Sequence, residues 1–349
     1  MNKIEPFNEL YMDCVVNNLL AILKAHCDNF DELFPFLFSY NFQIVGSYID
    51  SFPESLFAEN LREGYLALSV SLNAERLKSL FITENINVTP SEDLHTLIQQ
   101  RLDAGEYLFI TVDCFYYRTG VFANKKHHIH PTFICHYDHG SRSYTLLEDC
   151  ESLGRYHYYS ISPEDLKLAS LQSSKSQDNA YLCSVKLQQP KPNQNVDISY
   201  YIDKINSEVE ARLWNKIVEY PKWKYQYDQF GINCIMCYAD RFEQVLSCAN
   251  NQLLLEFPLF KIINMHKLNL KLIHQLFSKS FLSQSQYQYF SENYLTLRDK
   301  WSVLRNKIIK YFITRKIDFA KSKTELHELH KMEYENDTRL LEILTRARP

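Results

Sequence analysis

Asp13-Cys14-Val15-Val16-Asn17-Asn18-Leu19-Leu20-Ala21-Ile22-Leu23-Lys24 is the stretch whose reading decides the fold. Apolar side chains at 15, 16, 19, 20, 22 and 23 recur at helical spacing, which predicts a helix buried over most of its surface. Asp13 is a good N-cap, so Cys14 falls on the first helical turn. There a thiol faces unpaired N–H groups and the positive end of the helix dipole, surroundings that favour a thiolate. The plainer reading is a small buried cysteine at a helix start. Residues far downstream argue against it.

Those residues are His127-His128-Ile129-His130-Pro131-Thr132-Phe133 and Tyr144-Thr145-Leu146-Leu147-Glu148-Asp149. Two apolar strands flank the turn-rich Asp138-His139-Gly140-Ser141-Arg142-Ser143, which predicts a hairpin. A turn near Gly140 pairs residues whose numbers sum to about 280, setting His130 beside Asp149 within one step of register. A histidine and an aspartate so placed form the base and orienter of a nucleophilic triad, in which the Asp fixes the tautomer and the ring takes the thiol proton. His128 is the alternative base. The order Cys…His…Asp is similar to that of papain-like enzymes, in which a nucleophile helix packs across a sheet carrying the other two residues. Such enzymes place an amide side chain six positions before the cysteine to hold the oxyanion. Asn8 occupies that position here and, with the backbone N–H of Cys14, is the oxyanion candidate.

Length and composition fit this reading. A chain of 349 residues can bury two cores, and 46% hydrophobic with 14% aromatic residues describes a globular protein. Seven glycines are few, and neither GxGxxG nor GxxxxGK[ST] occurs, which argues against nucleotide-binding loops. A net charge of -4 and a pI near 6.3 give no reason to expect nucleic acid. Met1 to Glu9 lacks an apolar h-region, no run of 18 apolar residues exists, and nine irregularly spaced cysteines suit a reducing compartment. The expectation is a soluble cytoplasmic protein without a membrane span.

Residues 1–187 alternate helical and strand patterns. Ser55 to Arg62 and Ala74 to Phe81 are predicted as short helices, and Thr89 to Leu94 as a helix start. Tyr107 to Val112 is predicted as a buried strand, Tyr156 to Tyr159 as another, and Ser162 opens a helix. Gln188 to Asn195 is a polar, proline-containing linker. From 196 to 349 the pattern is helical throughout, over Tyr200–Trp214, Ile232–Leu246, Leu259–Phe277, Tyr287–Tyr311 and Ser322–Leu344. The expected fold class is α+β: a papain-like domain over 1–187, a linker over 188–195, and an all-helical bundle or lid over 196–349.

Tyr107 to Asp113, Cys114-Phe115-Tyr116-Tyr117, His130 to Asp138 and Glu148-Asp149 together resemble the butirosin biosynthesis protein H N-terminal domain family. These are papain-like domains found with polyketide and nonribosomal peptide pathways. Trp301 to Asn306 and the closing helix also resemble the helical tail of such proteins, although His136 stands where the family has Gly before Tyr-Asp. The resemblance implies natural-product biosynthesis. An acyl group would pass from an acyl or peptidyl carrier protein thioester to a small-molecule amine through an acyl-Cys14 intermediate. Cys14 would be nucleophile, His130 base and Asp149 orienter. No cofactor is implied beyond the phosphopantetheine that carries the substrate. A hydrolase (peptidase, amidase or thioesterase) with the same triad, or a non-catalytic carrier-binding scaffold, are the alternatives.

Tyr116, Tyr117 and Arg118 are candidates for lining the substrate pocket, with aromatic packing under a loop as the alternative. Lys125 and Lys126 suit an acidic carrier protein or a phosphate, or simply a solvated charge pair. Five of the twelve histidines fall within 127–139, yet no ligand set at a familiar spacing closes a metal site. Cys234-Ile235-Met236-Cys237 is a lone CxxC inside an apolar helical pattern and reads as core packing. Oligomeric state is not legible.

Overall fold

The computed structural model describes residues 3–47, 67–88, 93–173, 180–188, 198–219, 227–249 and 252–346. The helix expected over 55–62, the helix start at 89–92 and most of the linker lie outside these residues. The chain divides into two compact units, Met1–Phe30 with Ala74–Asn195, and Asp31–Asn73 with Val196–Pro349. Residues 31–73 therefore belong with the C-terminal part, not with the first 187 residues. The fold is mixed, with antiparallel sheets and a C-terminal region rich in helices, compatible with α+β.

In the first unit, α1 (Cys14–His26) begins where expected. Asp13 is its N-cap, with Oδ1 accepting from the Val16 N–H at 2.7 Å. Asn17 is buried within the apolar stripe because it organises the approach to the helix. Its Nδ2 donates to the carbonyls of Phe7 (3.0 Å) and Leu10 (2.6 Å), and its Oδ1 accepts from Met12 N (2.8 Å). Three backbone groups of the segment ahead of Cys14 are thereby given a partner, and that segment is held in one path.

The sheet of this unit has six antiparallel strands in the order β3-β8-β4-β5-β6-β7. They are β3 (Phe81–Val88), β4 (Tyr107–Asp113), β5 (Ile129–Asp138), β6 (Ser143–Glu148), β7 (His157–Ile161) and β8 (Ala180–Leu187). One face buries Leu108, Ile110, Val112, Ile134 and Leu146 against the helices Leu94–Asp103 and Pro163–Ser173, through Leu94, Ile98, Leu166 and Ala169. Because side chains alternate, Phe109 and Phe133, paired across β4 and β5, face the other way. On that side His26, the last residue of α1, bonds the Tyr107 hydroxyl at 2.5 Å. The hairpin turns at Gly140 as expected, with Asp138 accepting from Gly140 N and Ser141 Oγ. Its register runs Tyr137↔Tyr144 and Phe133↔Leu147, with a one-residue slip at Cys135.

Phe81 starts a strand where a helix was predicted, and only Glu75–Lys78 of that stretch is helical.

The second unit is not all-helical. β1 (Ser39–Ser47), β2 (Ala67–Asn73), β9 (Lys216–Glu219) and β10 (Tyr227–Phe230) form an antiparallel sheet in the order β2-β1-β10-β9. The five predicted helices are present as Ile198–Leu213, Cys234–Cys248, Gln252–Ser278, Gln284–Thr314 and Phe319–Arg346. Its core contains a fully buried ion pair in which Arg212 Nε and Nη2 each lie 2.8 Å from an Asp337 carboxylate oxygen. The guanidinium also covers the Tyr40 ring at 4.6 Å. Nearby, Trp301 Nε1 donates to Glu333 at 2.9 Å. No helix among the described residues is long and apolar enough to cross a membrane.

Candidate active site

His130 enters on the second residue of β5, opposite Val112 of β4. Its ring is nearly buried, with 12% of the side chain exposed, and its Nε2 lies 3.3 Å from Oε2 of Glu148 at the end of β6. That separation makes an ion-pair contact, although the N–H is not aligned for a hydrogen bond. The other carboxylate oxygen of Glu148, Oε1, accepts from the Tyr117 hydroxyl at 3.0 Å. Glu148 is 2% exposed, so its charge is screened little by water.

The thiols of Cys14 and Cys114 both lie within hydrogen-bonding reach of the same ring. Burial alone would push the His130 pKa down. The Glu148 carboxylate, followed by the two thiols, outweighs that and holds the ring well above the ordinary histidine range. A half-buried cysteine on a helix N-terminus, an imidazole and a buried carboxylate are thus in sequential contact. Cys114 is 1% exposed and burial raises its pKa, partly countered by His130, which suits a packed thiol more than an attacking one.

The loop carrying His127 to His130 is pinned by Asp113, which is fully buried. Its Oδ1 accepts from the N–H groups of Phe115 (3.1 Å) and His128 (3.0 Å), and its Oδ2 contacts His127 Nδ1 at 2.6 Å. Burial works to raise the Asp113 pKa, but these donors outweigh it and the net shift is downward. The Cys114 N–H donates to the His128 carbonyl at 2.9 Å, closing the loop next to the thiols. Gly120 has φ +120 and sits where a Cβ would come within 2.8 Å of the Cys150 carbonyl, whose oxygen accepts from Val121 N at 2.7 Å.

The predicted residues meet different fates. Cys14 and His130 come together. Asp149 follows the contacting carboxylate but is not itself the ring's partner. It is 7% exposed, its Oδ2 accepts from Gly154 N at 2.9 Å, and burial raises its pKa. The physical reason is parity. With register numbers summing to 280, residues 148 and 150 share the face of His130 and 149 points the other way. His128 stacks on Phe122 (4.2 Å, 20°) with its ring 5.3 Å from that of His130, and burial lowers its pKa.

Asn8, the oxyanion candidate, is engaged with the main chain of Tyr156. Its Nδ2 donates to the Tyr156 carbonyl (2.9 Å) and its Oδ1 accepts from Tyr156 N (2.8 Å). Of the expected pocket residues, Tyr116 is partly buried against the core and Arg118 is exposed, with its Nε 2.6 Å from Asp165. Tyr117 is buried, stacked on Tyr159 at 5.0 Å and 19°, and serves Glu148. Sequence reasoning missed Glu148, Tyr117 in this role, and Cys114. Lys125 and Lys126 are exposed.

The eight cysteines from Cys14 to Cys237 are free. Among the described residues, no group of three or more His, Cys, Asp or Glu is placed to hold a metal ion. Of the CxxC pair, Cys234 is buried and gives its thiol to the Gln229 carbonyl at 3.1 Å. Comparison with protein-family models and with curated protein sequences returns no match.

Proposed function

We propose that this chain is a cysteine acyltransferase with a papain-like first unit. Cys14 is the nucleophile, His130 the acid–base group, and Glu148 the residue that orients and charges the ring. The observation that carries the reading is the convergence of a helix-start thiol and a buried carboxylate on one imidazole. The substrate class follows the sequence resemblance: a thioester on a carrier protein's phosphopantetheine as donor, an amine as acceptor, with Lys125 and Lys126 available to an acidic carrier.

The Cys14 sulfur, its proton held by His130, attacks the thioester carbonyl. The carbonyl–sulfur bond to the carrier breaks, and the departing thiol takes the proton from the imidazolium. The now neutral ring accepts a proton from the incoming amine as its nitrogen attacks acyl-Cys14. Collapse forms the amide, releases the Cys14 sulfur and leaves the proton on His130 again. Glu148 favours the charged ring at the start and end of this cycle.

The test is intact mass after mixing the protein with a panel of acyl-pantetheine thioesters, with Cys14→Ala in parallel. An acyl mass on the wild type that is absent from the variant supports the reading, and added amines then separate transfer from hydrolysis. Neither adduct nor thioester turnover, or an adduct that persists in Cys14→Ala, refutes it.

A further inference from the structure

Tyr156 occupies the segment between β6 and β7 and is 2% exposed. Its hydroxyl oxygen is buried and has no hydrogen-bond partner among the described residues. Buried hydroxyls are almost always satisfied, and one that is not asks for a reason. The residue is otherwise held with unusual care. Asn8 clips its N–H and its carbonyl with one amide group, and the Tyr11 ring stacks on its ring at 6.1 Å and 16°. Tyr11 stands three residues before Cys14 in the chain, so this stack lies beside the segment that delivers the thiol. The groups whose charge bears on the Tyr156 hydroxyl are Tyr11, Asp149, Cys14 and Glu148. The Tyr11 hydroxyl lies near enough to interact with it, and no hydrogen bond to it is completed in the resting protein.

We propose that the Tyr156 hydroxyl is the side-chain donor for the oxyanion formed when Cys14 attacks a carbonyl, and that Asn8 acts through it as a positioning residue. The inference rests on the acyl-transfer reading above. A buried donor that completes no hydrogen bond in the resting protein, held through its residue's own N–H and carbonyl and stacked on the segment that leads to Cys14, is preorganised for charge that appears only during reaction. The amide six positions before the cysteine thereby keeps a place in the site without itself being the donor.

Two reagents separate the roles. Iodoacetamide alkylates Cys14 by displacement of iodide and creates no oxyanion, whereas acetyl-pantetheine acylates it through one. Tyr156→Phe is expected to slow acylation by about 100-fold, the lower end of what one oxyanion donor contributes, with alkylation unchanged and a thermal midpoint equal to or above the wild type. Asn8→Ala, an independent route to the same displacement, is expected to slow acylation while sparing alkylation. Acylation of a folded Tyr156→Phe variant at the wild-type rate overturns the proposal, as does a parallel fall in both reactions, which would mean that Tyr156 acts on the thiol. A wild type that alkylates at Cys14 yet is never acylated refutes the acyl-transfer reading, and this inference with it.

Discussion

Glu148→Gln tests the centre of the site, because it removes one charge and almost no volume. The lost carboxylate oxygen lies 3.3 Å from His130 Nε2, and both side chains are largely shielded from water. At that distance, with an effective dielectric of about 20, the attraction is roughly 5 kcal/mol. At 1.36 kcal/mol per pH unit, that corresponds to a fall of about 3 to 4 units in the His130 pKa. The sign follows from the direction of the native shift. The folded ring holds its proton well above the unfolded value of about 6.5, so the pair contributes stability fully present below that pH and lost as pH rises through the folded value. The assay is an NMR titration of ring-labelled histidines, with His130→Gln to assign the resonance. The wild-type ring should remain an imidazolium through pH 8. In Glu148→Gln, burial is opposed only by the two thiols, and the midpoint should fall by those roughly 3 to 4 units. Urea unfolding at pH 7 should show a loss of about 3 kcal/mol, the low end for breaking a buried pair, because the ring can neutralise itself. A wild-type midpoint near the ordinary histidine value, or a variant that leaves it unmoved, would refute the reasoning.

Tyr117→Phe removes the donor on the far oxygen of Glu148 and should cost about 1.5 to 3 kcal/mol in urea unfolding. It should also shift the His130 titration, which loss of packing alone would not do. The Asp113 carboxyl is held below its unfolded value, so its contribution is present above about pH 4 and is lost as pH falls through the folded value. Hydrogen exchange of peptides from 113–130, corrected for intrinsic rates, should show this acid step in the wild type and not in Asp113→Asn. In the second unit, Arg212→Met leaves the buried Asp337 carboxylate uncompensated and should cost about 3 to 5 kcal/mol. Arg212→Met with Asp337→Leu should recover most of that by the same denaturation measurement. Gly120→Ala sets a Cβ against the Cys150 carbonyl at a φ that L side chains avoid, and should cost about 1 to 3 kcal/mol in thermal or urea unfolding.

What the sequence could not carry was mostly long-range. The α1 start, the hairpin at Gly140, the strand over 107–112 and five C-terminal helices are local patterns, each with its own cap, turn or period. Residues 39–47 and 67–73 also carry a period, since Tyr40, Phe42 and Ile44 are buried and alternate with Asn41 and Gln43. That alternation was legible as a strand. Its destination was not, because the partner of β1 besides β2 is β10, at residues 227–230. A strand is defined by whom it pairs with, and nothing in 31–73 announces a partner so distant in the chain. The division between the two units was misplaced for the same reason.

The site shows the opposite case, where the signal was present and latitude in register outweighed it. Numbers summing to 280 imply that even residues of β6 share a face with His130, which already favours Glu148 over Asp149. A latitude of one step in register is enough to put Asp149 in the place that Glu148 takes. Tyr116, Tyr117 and Arg118 extend the lesson. They are consecutive, and as a run they suggest a shared pocket. A 3-10 turn over Cys114–Tyr116, capped by Asp113, sends them apart: Tyr116 partly into the core, Tyr117 inward to the carboxylate, Arg118 outward to Asp165. In an extended segment Tyr116 and Arg118 would have shared a face with Tyr117 opposite. The turn breaks that alternation, and its cause is a single buried aspartate whose oxygens are divided between two backbone N–H groups and one imidazole. The arrangement of these side chains therefore depends on Asp113, since without that turn Tyr117 has no reason to reach Glu148, and Glu148 loses the donor on its Oε1.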